Sequence, residues 1–268
     1  MADGPSSRIL YHTANFRIIA PARALAAWKI GAALVMPGPS SIPETVLDAI
    51  EQYSISTIML IPSMMHALVG HPSFKAWRVD TVQSVILGAD MITRDLLART
   101  AAAFPNAQVQ NAHGMTEGGG LYSWPFFDTP IDQIPSYGEI APVGKVKPGG
   151  SVRVWSHDND RVANRSEPGE MHVCCESIIK HYLGGVHEDS FYEDDHGRWF
   201  KTGDLGMINE DGIVYILGRM KDVIKRAGVP IIPAALESCI EKFTGSQVSS
   251  HVLSVLCACV WINSKCGY

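Results

Sequence analysis

Three segments of the chain combine glycine, hydroxyl, carboxylate and cationic side chains at close spacing. The first, residues 111–117, reads Asn-Ala-His-Gly-Met-Thr-Glu. A glycine lets the backbone approach a ligand closely, and the Thr116 hydroxyl next to it could bond a phosphate oxygen. The Glu117 carboxylate could then hold Mg²⁺ against that phosphate. The alternative is an ordinary strand-to-loop turn with a solvated glutamate.

The other two segments suit a sugar and a phosphate. In residues 200–206, Asp204 follows a glycine and could accept two hydrogen bonds from a ribose diol. The alternative is an aspartate that caps its own β-turn. In residues 218–228, Arg219 could add a charge-assisted contact to the same nucleotide, and Lys225 could meet a phosphate or carboxylate. The alternative is a solvated basic loop.

The hydrophobic pattern indicates which elements position these segments. Over the first 110 residues it alternates between strand and helix periods, which predicts a mainly parallel sheet covered by helices. Ligands of such sheets lie at the carboxyl ends of the strands. The Gly-Ala-Asp turn at 88–90 and residues 111–117 each follow a predicted strand, so we expect both to face one cleft. Helix 21–33 is predicted to bury Leu25, Trp28 and Ala32.

The composition changes after residue 117, where Gly, Pro and Asp become frequent. Short strands are predicted at 150–155, 169–174 and 212–217, the last preceded by a hairpin turn at 209–212. This pattern indicates a β-rich subdomain. Charged residues interrupt it near 218–222, where we place a domain boundary.

Composition also limits the partners. A net charge of −5 argues against a nucleic-acid partner, and the longest apolar run is too short for a membrane span. None of the six cysteines forms a Cys-x-x-Cys pair, which argues against structural zinc. We therefore expect reduced thiols and a soluble, cytoplasmic protein.

In their order and spacing, the three segments resemble motifs of the adenylate-forming superfamily, which includes acyl-CoA synthetases and other AMP-dependent ligases. Residues 113–117 are similar to its Tyr-Gly-Met-Thr-Glu motif, 201–204 to its ribose-binding motif, and 218–228 to its hinge. Gly169-Glu170 and residues 182–184 resemble a weaker motif between them. The resemblance covers about residues 8–245.

The resemblance implies an α/β fold and a two-step reaction. Residues 1–217 would be an incomplete, partial AMP-binding (adenylation) domain, with a parallel sheet, helices and a β-rich subdomain. Residues 218–268 would be the hinge and the truncated start of a small α+β C-terminal domain. In the family, a carboxylate attacks the α-phosphate of ATP to give an acyl-adenylate and pyrophosphate. The thiol of coenzyme A or of a carrier-protein pantetheine then takes the acyl group.

The resemblance also implies residue roles in nucleotide binding. It places the turn 88–90 along adenine, Thr116 on a phosphate, Glu117 on Mg²⁺ and Asp204 on the ribose. His113 stands where the family mostly has Tyr, so it would stack on the purine with less area. The nucleotide-binding set implied in this way is Gly88, Ala89, Asp90, Asn111, His113, Gly114, Met115, Thr116, Asp204 and Arg219.

Other positions match later steps of the reaction. Lys221 matches the hinge about which the small domain rotates, and it joins Thr116 and Glu117 as residues implied to act in catalysis. Lys225 and Gly228 match the stretch that approaches the thioester-forming face. His12 matches a histidine at the entrance to the acyl pocket, unless it is merely structural. The pocket walls would include the positions Gly88 and Gly118.

Two family features have no counterpart in this sequence. One is the Ser/Thr/Gly-rich loop that grips the triphosphate, and the other is a C-terminal catalytic lysine, since Lys265 lacks its context. We therefore expect a chain truncated at both ends that binds AMP or acyl-adenylate better than ATP. The predicted function is acyl-CoA ligation of a small carboxylic acid in fatty-acid or natural-product metabolism, with impaired activity. The alternatives are a non-catalytic AMP- or acyl-adenylate-binding fragment and a carrier-loading domain of a peptide synthetase, which Lys221 disfavours.

Overall fold

Strands and helices alternate through the first 112 residues of the chain. The computed structural model describes residues 3–13, 17–38, 42–72, 74, 77–226 and 229–231. The elements of this first part are β1 (Arg8–Leu10), α1 (Ile19–Lys29), β2 (Ala33–Val35), α2 (Pro43–Tyr53), β3 (Thr57–Leu60), α3 (Pro62–Val69), β4 (Ser84–Gly88), α4 (Arg94–Ala103) and β5 (Gln108–Ala112).

The five strands form one parallel sheet in the order β2-β1-β3-β4-β5, which confirms the predicted sheet. Its central strands are apolar because helices cover both faces of a parallel sheet. The helices begin where local chemistry allows, since α2 and α3 carry proline in the first turn. In α4, the Thr93 Oγ1 accepts a hydrogen bond from the Leu96 amide at 3.2 Å.

Helix α1 exists as predicted, but the predicted inward face is wrong. Leu25 and Trp28 are 64% and 62% exposed, and the buried residues are Ala20, Ala24 and Ala27. Alanine side chains let the helix axis lie close to the sheet, so the small face packs inward. The larger apolar side chains consequently point away from the sheet. Ala32, which follows the helix, is buried as predicted.

The second part of the chain forms an antiparallel sheet, which confirms the predicted β-rich subdomain. Its order is β6-β7-β13-β12-β10-β8-β9, with β11 paired to β12. The strands are β6 (Tyr122–Ser123), β7 (Gly144–Val146), β8 (Gly150–Ser156), β9 (Arg161–Val162), β10 (Gly169–Cys175), β11 (Phe191–Asp194), β12 (Gly197–Ile208) and β13 (Ile213–Arg219). A two-stranded hairpin follows, made of β14 (Ile224–Arg226) and β15 (Val229–Ile231).

Backbone contacts join the two sheets near the ends of β4 and β5. The Arg94 amide donates to the Glu139 carbonyl and the Ala141 amide to the Ile92 carbonyl, both at 2.9 Å. These bonds fix the second layer against the loop that follows β4. None of the described helices is both long and apolar enough to cross a bilayer.

Candidate nucleotide-binding site

A tight turn follows the carboxyl end of β4. Gly88 is required there, because a Cβ atom at this position would lie 2.5 Å from the Ala112 carbonyl oxygen of the neighbouring strand. Ala89 has a φ of +67°, a left-handed conformation that is rare and costly outside glycine. The Asp90 Oδ1 accepts a hydrogen bond from the Met91 amide at 2.7 Å. The turn is therefore held in one shape at the carboxyl end of the parallel sheet.

Asn111 lies near the end of β5. Its side chain is buried, and only one of its two polar atoms has a hydrogen-bond partner within the described residues. Its Nδ2 donates to the Pro142 carbonyl at 2.9 Å. Its Oδ1 is buried and has no hydrogen-bond partner among the described residues. An unsatisfied buried acceptor costs about 1–3 kcal/mol. The Nδ2 bond to Pro142 holds this side chain in place beneath the loop that follows β5.

Residues 113–119 fold back on themselves after β5. The Met115 and Gly119 backbones exchange two hydrogen bonds of 3.2 and 2.8 Å, which closes a small loop around Thr116 and Glu117. Thr116 and Gly114 are exposed, and Glu117 is half-buried. The loop therefore presents a hydroxyl and a carboxylate side by side at the carboxyl end of the parallel sheet.

The segment after β10 anchors this loop. The Tyr182 hydroxyl donates to the Glu117 Oε1 at 2.7 Å. The Ile179 amide donates to the Glu117 carbonyl, and the Ser177 Oγ donates to the Gly118 carbonyl, both at 2.7 Å. Burial, and then the bond to the Glu117 carboxylate, raise the pKa of Tyr182. Tyr182 therefore stays a donor, and it fixes one oxygen of Glu117.

The Thr-Gly-Asp segment is a bulge in strand β12 and not a free turn. Between paired positions, β10 has one residue, Met171, where β12 has the three residues 202–204. Gly203 supplies the positive φ of +69° that the bulge needs. The Gly203 amide donates to the Glu170 Oε1 at 3.2 Å, and the Thr202 Oγ1 donates to the Met171 carbonyl at 2.8 Å. The side chains of Glu170 and Thr202 thus replace the backbone hydrogen bonds that the bulge interrupts, and they fix the backbone next to Asp204.

Asp204 is the point at which the separate segments meet. Its Oδ1 lies 2.9 Å from the Arg219 Nη1, across the β12–β13 pair. Its Oδ2 lies 3.3 Å from the His113 Nε2. His113 also packs beside Tyr122, whose pKa is raised by burial and by the Asp204 charge. The carboxylate of Asp204 therefore joins the loop after β5 to the second sheet.

Behind the bulge, Glu170 is braced by two histidines. Its Oε2 lies 2.7 Å from the His157 Nε2 and 3.4 Å from the Nε2 of the buried His172. The His172 Nδ1 lies 2.8 Å from the Tyr192 hydroxyl. Burial alone would raise the pKa of Glu170, but hydrogen bonds and charge from His172 and His157 outweigh it and lower the pKa to about 2.

We expect the free energy of unfolding to depend on pH through Glu170. Its folded pKa is depressed, so its contribution is complete above its ordinary pKa of 4.5 and is lost as the pH falls toward about 2. Glu170→Gln should lower stability at neutral pH and flatten the curve across that interval. Urea unfolding at a series of pH values measures this. The exposed Glu210→Gln is the matched control, and parallel curves for wild type and Glu170→Gln would contradict the expectation.

The other predicted site residues lie in four separate segments of the chain. His12 follows β1, so it lies at the same edge of the parallel sheet as Gly88, and burial lowers its pKa. Gly118 is buried against Ile178, and a Cβ atom would lie 2.4 Å from the Ile178 Cδ1. Lys221 is exposed in the short 3₁₀ turn after β13. Lys225 belongs to β14, but neither its side chain nor Gly228 falls within the described residues.

The sequence reading missed the supporting roles of Glu170 and Tyr182, although both fall in the weaker motif between the main segments. Their partners Gly203 and Glu117 are distant in sequence, and strand register brings them together. The signal available was a glutamate and a histidine, Glu170 and His172, among the apolar residues of one strand. A buried carboxylate requires partners, so that position pointed to a polar network.

Comparison with known proteins identifies the family. A family model described as AMP-binding enzyme matches residues 4–183. An acyl-CoA ligase of Pestalotiopsis microspora is 42% identical over 244 residues, which cover 91% of this chain and 42% of that protein. The chain thus spans about two fifths of the length of this relative.

Solved structures agree on the fold. The luciferase-like enzyme of the nonluminescent Zophobas morio mealworm is 25% identical with a TM-score of 0.68, over 79% of this chain and 49% of that one. O-succinylbenzoate coenzyme A synthetase of Bacillus subtilis, solved with ATP and magnesium, has a TM-score of 0.70 at 23% identity, over 87% and 46%. This chain belongs to the AMP-binding enzymes of the adenylate-forming superfamily, and acyl-CoA ligases are among its homologues.

Proposed function

We propose that this chain carries the nucleotide site of an acid–thiol ligase of the acyl-CoA synthetase type. Such an enzyme activates a carboxylic acid with ATP as an acyl-adenylate and transfers the acyl group to coenzyme A. The observation that carries the proposal is the meeting of Asp204 with both His113 and Arg219. This contact brings the three chemically informative segments to one place, beside the exposed Thr116 and the anchored Glu117.

The residues present suit an adenosine phosphate. The Asp204 carboxylate could accept both hydroxyls of a ribose, with Arg219 beside it to balance charge. His113, half-buried next to Tyr122, offers a ring for the purine face. The Gly88–Asp90 turn, with Ala89 in a left-handed conformation, would lie along the base.

Magnesium would be held by Glu117 together with nucleotide phosphates. Mg²⁺ is commonly bound through one or two carboxylates plus substrate phosphates and water, and not by an all-protein cage. The described part of the chain contains no group of three or more His, Cys, Asp or Glu side chains placed to hold a metal. The fixed Glu117 carboxylate, next in sequence to Thr116, suits a metal ion that binds as a complex with the nucleotide phosphates. When bound, the ion supplies charge neutralisation at the phosphates.

The domain division and the thiol step are part of the same proposal. We assign residues 1–217 to a partial adenylation domain and 218–268 to the hinge and the start of a second domain. Lys221 supports this division, because it lies exposed in a short turn directly after the last strand of the antiparallel sheet. Lys225 and Gly228 would approach the thioester-forming face, where coenzyme A or a carrier pantetheine reacts. His12, Gly88 and Gly118 would border the acyl pocket.

A non-catalytic AMP- or acyl-adenylate-binding protein is the second candidate. The observation in its favour is that the groups described above suit adenosine and one phosphate with its metal. A carrier-loading adenylation domain is the third candidate function for the same site. It would use an amino acid and a carrier protein in place of a free acid and coenzyme A.

Pyrophosphate release separates these candidates. The purified chain is incubated with ATP, Mg²⁺, coenzyme A and a panel of carboxylic and amino acids, and binding of AMP and ATP is measured by calorimetry. A ligase gives acid-dependent pyrophosphate release and a coenzyme A thioester. AMP binding without release would favour the non-catalytic candidate, and release that depends on an amino acid would favour the carrier-loading domain. Failure to bind either nucleotide would overturn the proposed site.

A further inference from the structure

A buried histidine lies directly behind the Thr-Gly-Asp bulge. His172 of β10 is paired with Lys201 of β12, immediately before the bulge. Its ring stacks on that of Trp155 with an interplanar angle of 10° and a centroid distance of 5.8 Å. The Tyr192 ring meets it edge-on, with the two centroids 5.4 Å apart. Two aromatic side chains therefore fix the plane of the imidazole.

Both nitrogen atoms of this ring have partners. The Nδ1 atom lies 2.8 Å from the Tyr192 hydroxyl, and the Nε2 atom lies 3.4 Å from the Glu170 Oε2. Because a carboxylate only accepts, the Nε2 atom carries the hydrogen, and in the neutral ring Nδ1 then accepts from Tyr192. Burial raises the pKa of Tyr192, so its hydroxyl keeps the proton that this bond requires. We call these three residues the Tyr192–His172–Glu170 network.

The network ends at the backbone next to Asp204. The Glu170 Oε1 accepts a hydrogen bond from the Gly203 amide at 3.2 Å. The other carboxylate oxygen faces His157 and His172, whose side chains are 53% and 4% exposed. Water can replace an exposed partner but not a buried one, so His172 is the contact that fixes the Glu170 carboxylate.

The polar character of this network serves the bulge and not the packing of the core. The alternate side chains of β10, Met171 and Val173, are buried and apolar. Burying an imidazole beside a carboxylate costs free energy that their hydrogen bonds only offset. An apolar pair of similar volume would fill the same space, but it would leave the Gly203 amide without its acceptor.

The bulge in turn determines where the Asp204 carboxylate lies. The Thr202 Oγ1 accepts from the Asp204 amide at 3.0 Å, and the Thr202 carbonyl accepts from the Arg219 Nη1 at 3.1 Å. These bonds close the bulge within β12 and β13, and the Glu170–Gly203 bond holds it from β10. Gly203 has no side chain to restrict its backbone, so its peptide can rotate once Glu170 moves.

We propose that His172 is a positioning residue for nucleotide binding, which acts through Glu170 and the Gly203 amide on the Asp204 carboxylate. This inference rests on the proposed function, because it assumes that Asp204 accepts the ribose hydroxyls. His172 is two hydrogen bonds away from the backbone next to Asp204, so it orients the carboxylate without contacting the ribose.

Calorimetric titration with AMP, and with a dideoxy form that lacks both ribose hydroxyls, tests this inference. Wild type should prefer AMP, because only AMP offers hydroxyls to Asp204. His172→Leu removes the donor to Glu170, so it should weaken AMP binding about tenfold, as for the loss of one hydrogen bond to a charged group. Binding of the dideoxy nucleotide should change less than about twofold. His172→Gln places an amide N–H near the Nε2 position and should restore most of the AMP affinity.

The matched control is His196→Leu, at the exposed turn between β11 and β12, which should bind both nucleotides as wild type does. Circular dichroism and urea unfolding identify conditions in which each variant is folded. If His172→Leu does not fold, Tyr192→Phe decides the matter, because it removes one hydroxyl from the network and should lower the preference for AMP in the same direction.

The outcomes separate this inference from the proposed function. An undiminished preference for AMP in the folded variant, or equal losses for both nucleotides, would overturn the role of His172 and leave the ribose role of Asp204 in place. A wild-type chain that binds AMP and the dideoxy nucleotide equally would overturn both.

Discussion

Asp204→Asn is expected to weaken AMP binding by about 10- to 100-fold. Hydrogen bonds to a charged group contribute about 1.5–3 kcal/mol, and each 1.4 kcal/mol corresponds to a factor of ten in Kd. The Asp204 carboxylate is buried, and Arg219 and His113 lie on its two oxygens, so it is preorganised to accept a ribose diol. Asparagine keeps the size but offers one acceptor and no charge. Calorimetric titration with AMP measures the effect.

The loss must be separated from a loss of stability. Asp204 balances the charge of Arg219, so the asparagine variant is compared with wild type by urea unfolding, and titrations are run where both are folded. Asp211→Asn, at the exposed tip of the β12–β13 hairpin, is the matched control and should bind AMP as wild type does. Equal AMP affinity of wild type and folded Asp204→Asn would remove Asp204 from the proposed site.

Asp204 also illustrates what the sequence could predict about this site. The residues themselves were identifiable, because glycine, hydroxyl and carboxylate side chains cluster at short spacing in residues 111–117 and 202–204. Their meeting depends on pairing between distant strands. The three-residue bulge in β12, and the Glu170 carboxylate that satisfies it, come from the register of β10 against β12. Local periodicity indicates the strands, but it does not show where a bulge shifts one strand against its partner.

In the fold, too, local elements could be predicted from the sequence, whereas their packing could not. Strands β3 and β4 were predictable because runs of apolar residues are bounded by turn residues. In α1, the presence of a helix was predictable, but the buried face was not. The alanines and the larger apolar residues lie on neighbouring parts of the helix surface, and hydrophobicity favours burial of the larger ones. Instead, Ala20, Ala24 and Ala27 are buried, and Leu25 and Trp28 are exposed.

Glu117→Gln is expected to abolish most of the magnesium dependence of ATP binding. In wild type we expect Mg²⁺ to tighten ATP binding, because the Glu117 carboxylate and the phosphates share the ion. Glutamine retains an oxygen for the Tyr182 hydroxyl, so the loop keeps its anchor while the charge is removed. AMP binding without Mg²⁺ should therefore change little. If the chain turns over, removing this group should cost about 10²–10³ in rate, as for other preorganised groups that stabilise developing charge.

Tyr182→Phe separates the position of Glu117 from its charge. This variant keeps the carboxylate and removes the 2.7 Å hydrogen bond that orients it, so we expect the magnesium dependence to fall by about tenfold. Because the raised pKa keeps the Tyr182 hydroxyl protonated, the difference between wild type and Tyr182→Phe should persist into mildly alkaline solution. Calorimetry of ATP with and without Mg²⁺ measures both variants, with Glu210→Gln as the control. If Glu117→Gln retains the full magnesium effect, the ion is held elsewhere. If Tyr182→Phe alone leaves the magnesium effect unchanged, the Glu117 carboxylate binds the ion without needing the hydrogen bond from Tyr182.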